Sequence, residues 1–209
     1  MNIGNSLQID LEKFGFIERE FINGRKVSNR CGRDFLYYVL NFYFPNEFNP
    51  KICGPVEIEK MKLFGLPTSS SLVWTCLPFY KVPKMLFERE LFLEINNSPI
   101  RSFADFVKAI ILPKHLSTEK ILKIVEASID ENRACGIDIL IPGKLFMNHV
   151  LFVLGYDEEY LYVADTHKVD KLDYEKLTAK NDNRFIMKLS KEAIQKAESR
   201  FSRVWVVKY

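Results

Sequence analysis

The stretch from His149 to Ala164 constrains the fold of this chain more than any other. His149 to Gly155 is apolar and rich in strand formers, Asp157-Glu158-Glu159 reads as a turn, and Tyr160 to Ala164 is apolar again. Such a pattern predicts a β-hairpin. With the turn centred near Glu158, the numbers of paired residues sum to 316, so His149 faces His167 and Leu151 faces Asp165. Side chains alternate faces with a period of two, which places His149 and Asp165 on one face as diagonal neighbours within reach of each other. A slip of one residue would send them to opposite faces.

Around this hairpin the remaining elements read less evenly. Phe35, Leu36, Val39, Leu40 and Tyr43 recur at helical spacing and Pro45 ends the pattern, which predicts a buried helix with Cys31 at its start. Ser117 followed by Ile121, Leu122, Val125 and Ile129 predicts a second, amphipathic helix with a polar N-cap. Gly136 opens the short strand GIDILIP. Arg184 to Leu189 and Arg203 to Lys208 read as strands with a helix over Lys191 to Arg200 between them. From Asn46 to Pro113 the signals are weak: a short helix from Pro55 to Phe64, then a loop from Gly65 to Ser71. Helices first and an antiparallel sheet last make an α+β arrangement. No repeat or linker divides residues 1–209, so a single domain is expected.

Composition narrows the function. Of 209 residues, 47% are hydrophobic and 27% charged, the balance of a globular chain with a sizeable core. A net charge of +3 with scattered basic residues gives no footprint for nucleic acid. The opening MNIGNSLQIDLEKFGF lacks the basic start and apolar run of a secretory signal, and no segment is long and apolar enough to span a membrane. A cytoplasmic location without membrane partners is therefore expected, although export by a route without a cleaved signal leaves no mark in a sequence. Four cysteines with no C-x-x-C pair argue against a disulfide framework or zinc ribbon, and suit reduced thiols.

The chemistry is expected at Cys31, His149 and Asp165. A thiol must lose a proton to become a nucleophile, an imidazole can take it, and a carboxylate can fix the tautomer of that imidazole and stabilise its charged form. A helix start favours an anion through its unpaired amides, and Gly32 leaves room for a carbonyl beside the sulfur. A lone cysteine is more often a small buried hydrophobe; its partners are what distinguish Cys31. Cys53, followed by Gly54 and Pro55, is a rival nucleophile, whereas Cys76 and Cys135 read as packing residues. His115 reads as surface. His167 is an alternative base or a loop residue. Two histidines and an aspartate on one hairpin lack a ligand-spacing motif, so neither a metal nor an organic cofactor is expected.

Asn29-Arg30-Cys31-Gly32 with LYYVLNFY after it, and NHVLFVLGYDEEYLYVAD, resemble the two signature regions of papain-like cysteine peptidases of the C39-like kind. LYVADT also resembles the N-terminal domain of the butirosin-biosynthesis protein H family, which uses the same fold for acyl transfer. The resemblance covers about a quarter of the chain. It implies a papain-like fold with Cys31 as nucleophile, His149 as general base and acid, and Asp165 as orienting residue, in the family's order of Cys, His, Asp. Cys-Gly-Pro, as at Cys53, is also common at the family's active cysteine. One departure stands out. The family commonly carries a Gln about six residues before the nucleophile as an oxyanion donor, and Arg25 occupies that place; Asn29 or Asn23 are the candidate substitutes. Losing one such donor costs about a hundredfold to a thousandfold in rate. Three readings follow: a cysteine peptidase or amidase, an acyltransferase moving an acyl group from a thioester to an amine, or a weakly active pseudoenzyme that binds a peptide or partner. The substrate implied is a peptide, an amide or a carrier-bound acyl group.

Overall fold

The computed structural model describes residues 4–14, 16, 21–22, 25–26, 31–45, 62–63, 66–67, 86–112, 114–140, 148–165, 174–177, 186–196 and 203–209. In chain order the elements are β1 (Asn5–Ser6), β2 (Phe21–Ile22), β3 (Arg25–Lys26), α1 (Cys31–Tyr43), β4 (Lys62–Leu63), β5 (Leu66–Pro67), β6 (Phe92–Ile95), β7 (Ser98–Ile100) and α2 (Phe103–Ile111). They continue with α3 (Thr118–Asp130), β8 (Ala134–Leu140), β9 (Asn148–Tyr156), β10 (Tyr160–Ala164), β11 (Tyr174–Lys176), β12 (Ile186–Ser190), α4 (Lys191–Lys196) and β13 (Arg203–Lys208). The fold is α+β. One antiparallel sheet runs β11-β12-β10-β9-β8-β13-β6-β7, with β1 also paired to β9, while β2–β3 and β4–β5 are separate two-stranded ribbons.

The middle of helix α1 is apolar on every side and enclosed on every side: Phe35 to Leu40 are all buried. Its seat on the sheet is made by one glycine. A Cβ on Gly136 would lie 2.4 Å from Cε2 of Phe35 and 2.8 Å from the Leu151 carbonyl oxygen. Phe35 uses the space, packing its ring on Phe152 and Trp205 at centroid distances of 6.2 and 5.8 Å. At the other end of the helix the Tyr43 hydroxyl donates to the Val207 carbonyl at 2.5 Å and accepts from the Ala134 amide at 3.2 Å. Gly136→Ala therefore has to push α1 off β8. We expect a loss of about 1–3 kcal/mol, the usual cost of overpacking a core, read as a lower denaturant midpoint at unchanged slope.

The hairpin, α1, α3 with its Ser117 cap, β8, β12, α4 and β13 lie where the sequence places them, with residues 184–185 of the expected strand and 197–200 of the expected helix outside the described residues. Strand β8 starts two residues before Gly136, at Ala134. Three expectations change. Lys62 and Leu63, read as the end of a helix from Pro55 to Phe64, are a strand paired with Leu66 and Pro67, which had been read as loop; residues 55–61 lie outside the described residues. The sheet does not simply follow the helices, because β1 joins it from the start of the chain and β6–β7 from between α1 and α2. Helix α2 was not expected at all. The local reasons are legible in retrospect. Asn96 and Asn97 both adopt positive φ, 51° and 59°, and link β6 to β7 through a two-residue turn of the kind asparagine tolerates. The Asn96 side chain then accepts from the Val204 amide at 2.9 Å and donates to the Lys114 carbonyl at 2.8 Å, which ties the hairpin to β13. Ser102 caps α2 by accepting from the Asp105 amide.

Candidate functional site

The site grows out of the β9–β10 hairpin. Asp157 holds the turn: its Oδ1 accepts from the amides of Glu159 and Tyr160 at 2.9 and 2.8 Å, and its Oδ2 accepts from the Tyr162 hydroxyl at 2.6 Å. Next to the turn the pairing is Leu161 with Tyr156 and Tyr162 with Gly155, one residue away from the register expected from a turn centred at Glu158. A bulge at Leu154 then resets it to Val163 with Val153 and Ala164 with Phe152, which is the expected register. The bulge decides the face. Without it, Asp165 would stand opposite Phe152 and turn away from His149; with it, the next rung places Asp165 opposite Leu151, on the face of His149. The Leu7 amide donates to the carbonyl of Leu154 at 2.9 Å, so the chain after β1 pins the bulge.

The consequence is a direct contact. His149 Nε2 lies 2.6 Å from Asp165 Oδ2, and both side chains are 5% exposed or less. Cys31, the first residue of α1, is half-buried with a free thiol, and its sulfur is a hydrogen-bond partner of the same imidazole. Burial pushes the imidazole down, but the Asp165 carboxylate beside it, the hydrogen bond to that carboxylate and the contact with Cys31 together raise it well above its ordinary value. These surroundings therefore favour the doubly protonated ring. Nε2 is committed to Asp165, which leaves Nδ1 to exchange a proton with the sulfur.

The three expected residues thus come together from α1, the start of β9 and the residue after β10. Asn29, Asn23, Cys53, Cys76 and His167 lie outside the described residues. Arg25 belongs to β3, opposite Ile22. His115 is exposed. Cys135 is fully buried within β8, and burial raises its thiol far above the ordinary range, in keeping with a packing role. Among the described residues no group of three or more His, Cys, Asp or Glu could hold a metal ion, and no helix is long and apolar enough to cross a membrane.

Other charges collect here that the sequence reading did not single out. The buried Asp, Glu, His, Lys and Arg side chains among the described residues are Asp34, Asp138, His149, Asp165 and Arg203. They sit in the first turn of α1, late in β8, at the start of β9, just past β10 and at the start of β13. In an antiparallel sheet those positions are all one end, the end where α1 begins. Lone charges inside otherwise apolar strands, Asp138 in GIDIL and Arg203 before VWVV, were the available signal.

The chain matches no protein-family model and no curated protein. Its chemistry has to be argued from the site. A thiol, an imidazole and a carboxylate in series can generate a thiolate, hold the matching imidazolium in place and return its proton to a leaving group.

Proposed function

We propose that this chain is a cysteine-nucleophile hydrolase of peptide or amide bonds, built on a papain-like variant of its α+β fold and working through an acyl-enzyme. One observation carries the reading: a buried imidazole bonded at Nε2 to Asp165 that also interacts with the side chain of Cys31, at the start of a helix. Nδ1 already holds the proton drawn from the thiol, and the Cys31 thiolate attacks the substrate carbonyl carbon. The carbonyl π electrons move to oxygen as the S–C bond forms. As the carbonyl reforms, the C–N bond breaks and Nδ1–H protonates the departing amine. Water then gives a proton to Nδ1 and attacks the thioester carbon, and the S–C bond breaks to release the acid and the thiolate beside the imidazolium. Asp165 keeps its bond to Nε2–H throughout, so the ring turns neither its wrong nitrogen nor its wrong tautomer toward the sulfur. The steps use protein groups alone.

The test is to trap the intermediate. Peptide amides and simple acyl thioesters are incubated with the protein, and Cys31 is inspected by intact-mass and peptide mass spectrometry, with and without an added amine. An acyl adduct on Cys31 that decays to free acid, and is missing in Cys31→Ala, supports the hydrolase. Decay only when the amine is present would assign acyl transfer instead. No adduct on Cys31 with any substrate, or an undiminished adduct in His149→Ala, would overturn the reading.

A further inference from the structure

The buried pair of Asp138 and Arg203 takes no part in the steps above. Arg203 Nη1 donates to Asp138 Oδ2 at 2.5 Å, with both side chains 6% exposed or less, while Asp138 Oδ1 is buried without a hydrogen-bond partner among the described residues. A buried ion pair contributes to stability only when its geometry is good and its remaining lone pairs are satisfied; otherwise apolar residues of similar size serve as well or better. This pair leaves a carboxylate oxygen unsatisfied, so stability does not account for it, and such costs are retained mainly at functional sites.

Its place in the fold suggests the function. Strand pairing sets Ala134 opposite Val207, Gly136 opposite Trp205 and Asp138 opposite Arg203, three successive rungs on one face of β8 and β13. Helix α1 lies along those rungs. Tyr43 bonds to the first and Phe35 packs on the second, so the helix axis carried on past Phe35 to its first turn leads toward the third. Asp138 is also opposite Val150, the neighbour of His149, and Ile139 is opposite His149 itself. The third rung is thus shared by the strand that carries the imidazole and the seat of the helix that carries the thiol.

We propose that the Asp138–Arg203 pair is a positioning element that fixes the first turn of α1 against the start of β9, so that Cys31 meets Nδ1 of His149. This rests on the site assigned under the proposed function. It acts by holding two elements in register, and a directional charged bond resists sliding where apolar contacts would not.

The test replaces the pair by apolar groups of similar size, Asp138→Leu with Arg203→Met, and compares thermal unfolding with the pH profile of iodoacetamide labelling at Cys31. The expected result is a melting temperature at or above that of the parent protein, together with labelling at mildly acid pH slower by up to about thirty- to sixtyfold, the effect of losing the imidazole altogether. Unchanged labelling in the folded double variant would overturn the proposal and leave the pair a structural one. Should the double variant fail to fold, Asp138→Asn carries the same comparison: slower labelling with a retained cooperative transition supports positioning, and parental labelling overturns it. Failure of the underlying site reads differently, because the parent protein itself would then show no enhanced labelling of Cys31 at acid pH.

Discussion

Replacing His149 with alanine is expected to slow alkylation of Cys31 at mildly acid pH by about thirty- to sixtyfold. An ordinary thiol, with a pKa of about 8.5, is thiolate to only about one part in a thousand when the pH is three units lower. In the folded protein the sulfur faces an imidazole whose charged form Asp165 favours, and removing the ring removes the neighbouring cation. A thiolate stabilised by a full three units would also be a weaker nucleophile, with a Brønsted coefficient of about 0.4–0.5, which brings the thousandfold down to about thirty- to sixtyfold. The helix start remains in the variant and retains part of the effect. Cys135 supplies an internal control: buried and without a neighbouring cation, it should stay unlabelled in both proteins while they are folded. Site-resolved mass spectrometry reads both rates in one sample. Equal labelling of Cys31 in parent and variant would remove the imidazole from the argument.

The second large effect is expected from Asp165→Asn. Burial alone pushes the His149 imidazole below its ordinary value, and the carboxylate is the first of the groups that reverse this. Without it the ring loses its charge at neutral pH, and an amide can also turn the wrong tautomer toward the sulfur. Turnover should fall by about four orders of magnitude, as when a triad carboxylate is replaced elsewhere. The stability change has a definite sign with pH. In the parent protein the folded imidazole is raised above its unfolded value of about 6.5, so its contribution to stability is complete below that pH and fades as pH rises through the raised folded value. In the variant the imidazole is buried without its counter-charge, so stability drops as pH falls and the ring must charge. The gap between the two proteins should therefore be widest at mildly acid pH, up to about 3–5 kcal/mol, and should narrow toward alkaline pH. Denaturant unfolding at several pH values tests this directly; a gap that widens with rising pH would contradict it.

How much of this was legible in the residues differs from element to element. The hairpin and α1 carry long patterns of a single period, and the positions of His149, Asp165 and Cys31 followed from those patterns. The contact itself depends on something the pattern hides. Leu154 lies in the unbroken apolar run VLFVLG, and nothing in that run marks one residue as a bulge. The turn begins in a different register from the expected one, and the bulge restores it before the site is reached. Strands β1, β7 and β11 hold two or three residues each, too short for a period to register; they exist because β9, β6 and β12 offer ladder groups that need partners. Helix α2 is short, and its cap at Ser102 and Asp105 is a clearer signal than its periodicity. Asp138 and Arg203 are adjacent only through the β8–β13 pairing, 65 residues apart in the chain, so their partnership belongs to the topology.

The account depends most on a doubly protonated His149 held between Asp165 and Cys31, and nitrogen NMR of that imidazole tests it most directly. With both ring nitrogens labelled, the spectrum at neutral pH should show an imidazolium, titrating well above the ordinary histidine range, and the titration should move to lower pH in Cys31→Ala because the thiolate no longer supports the charge. A neutral ring at that pH, or a titration indifferent to the loss of Cys31, would contradict the site as described.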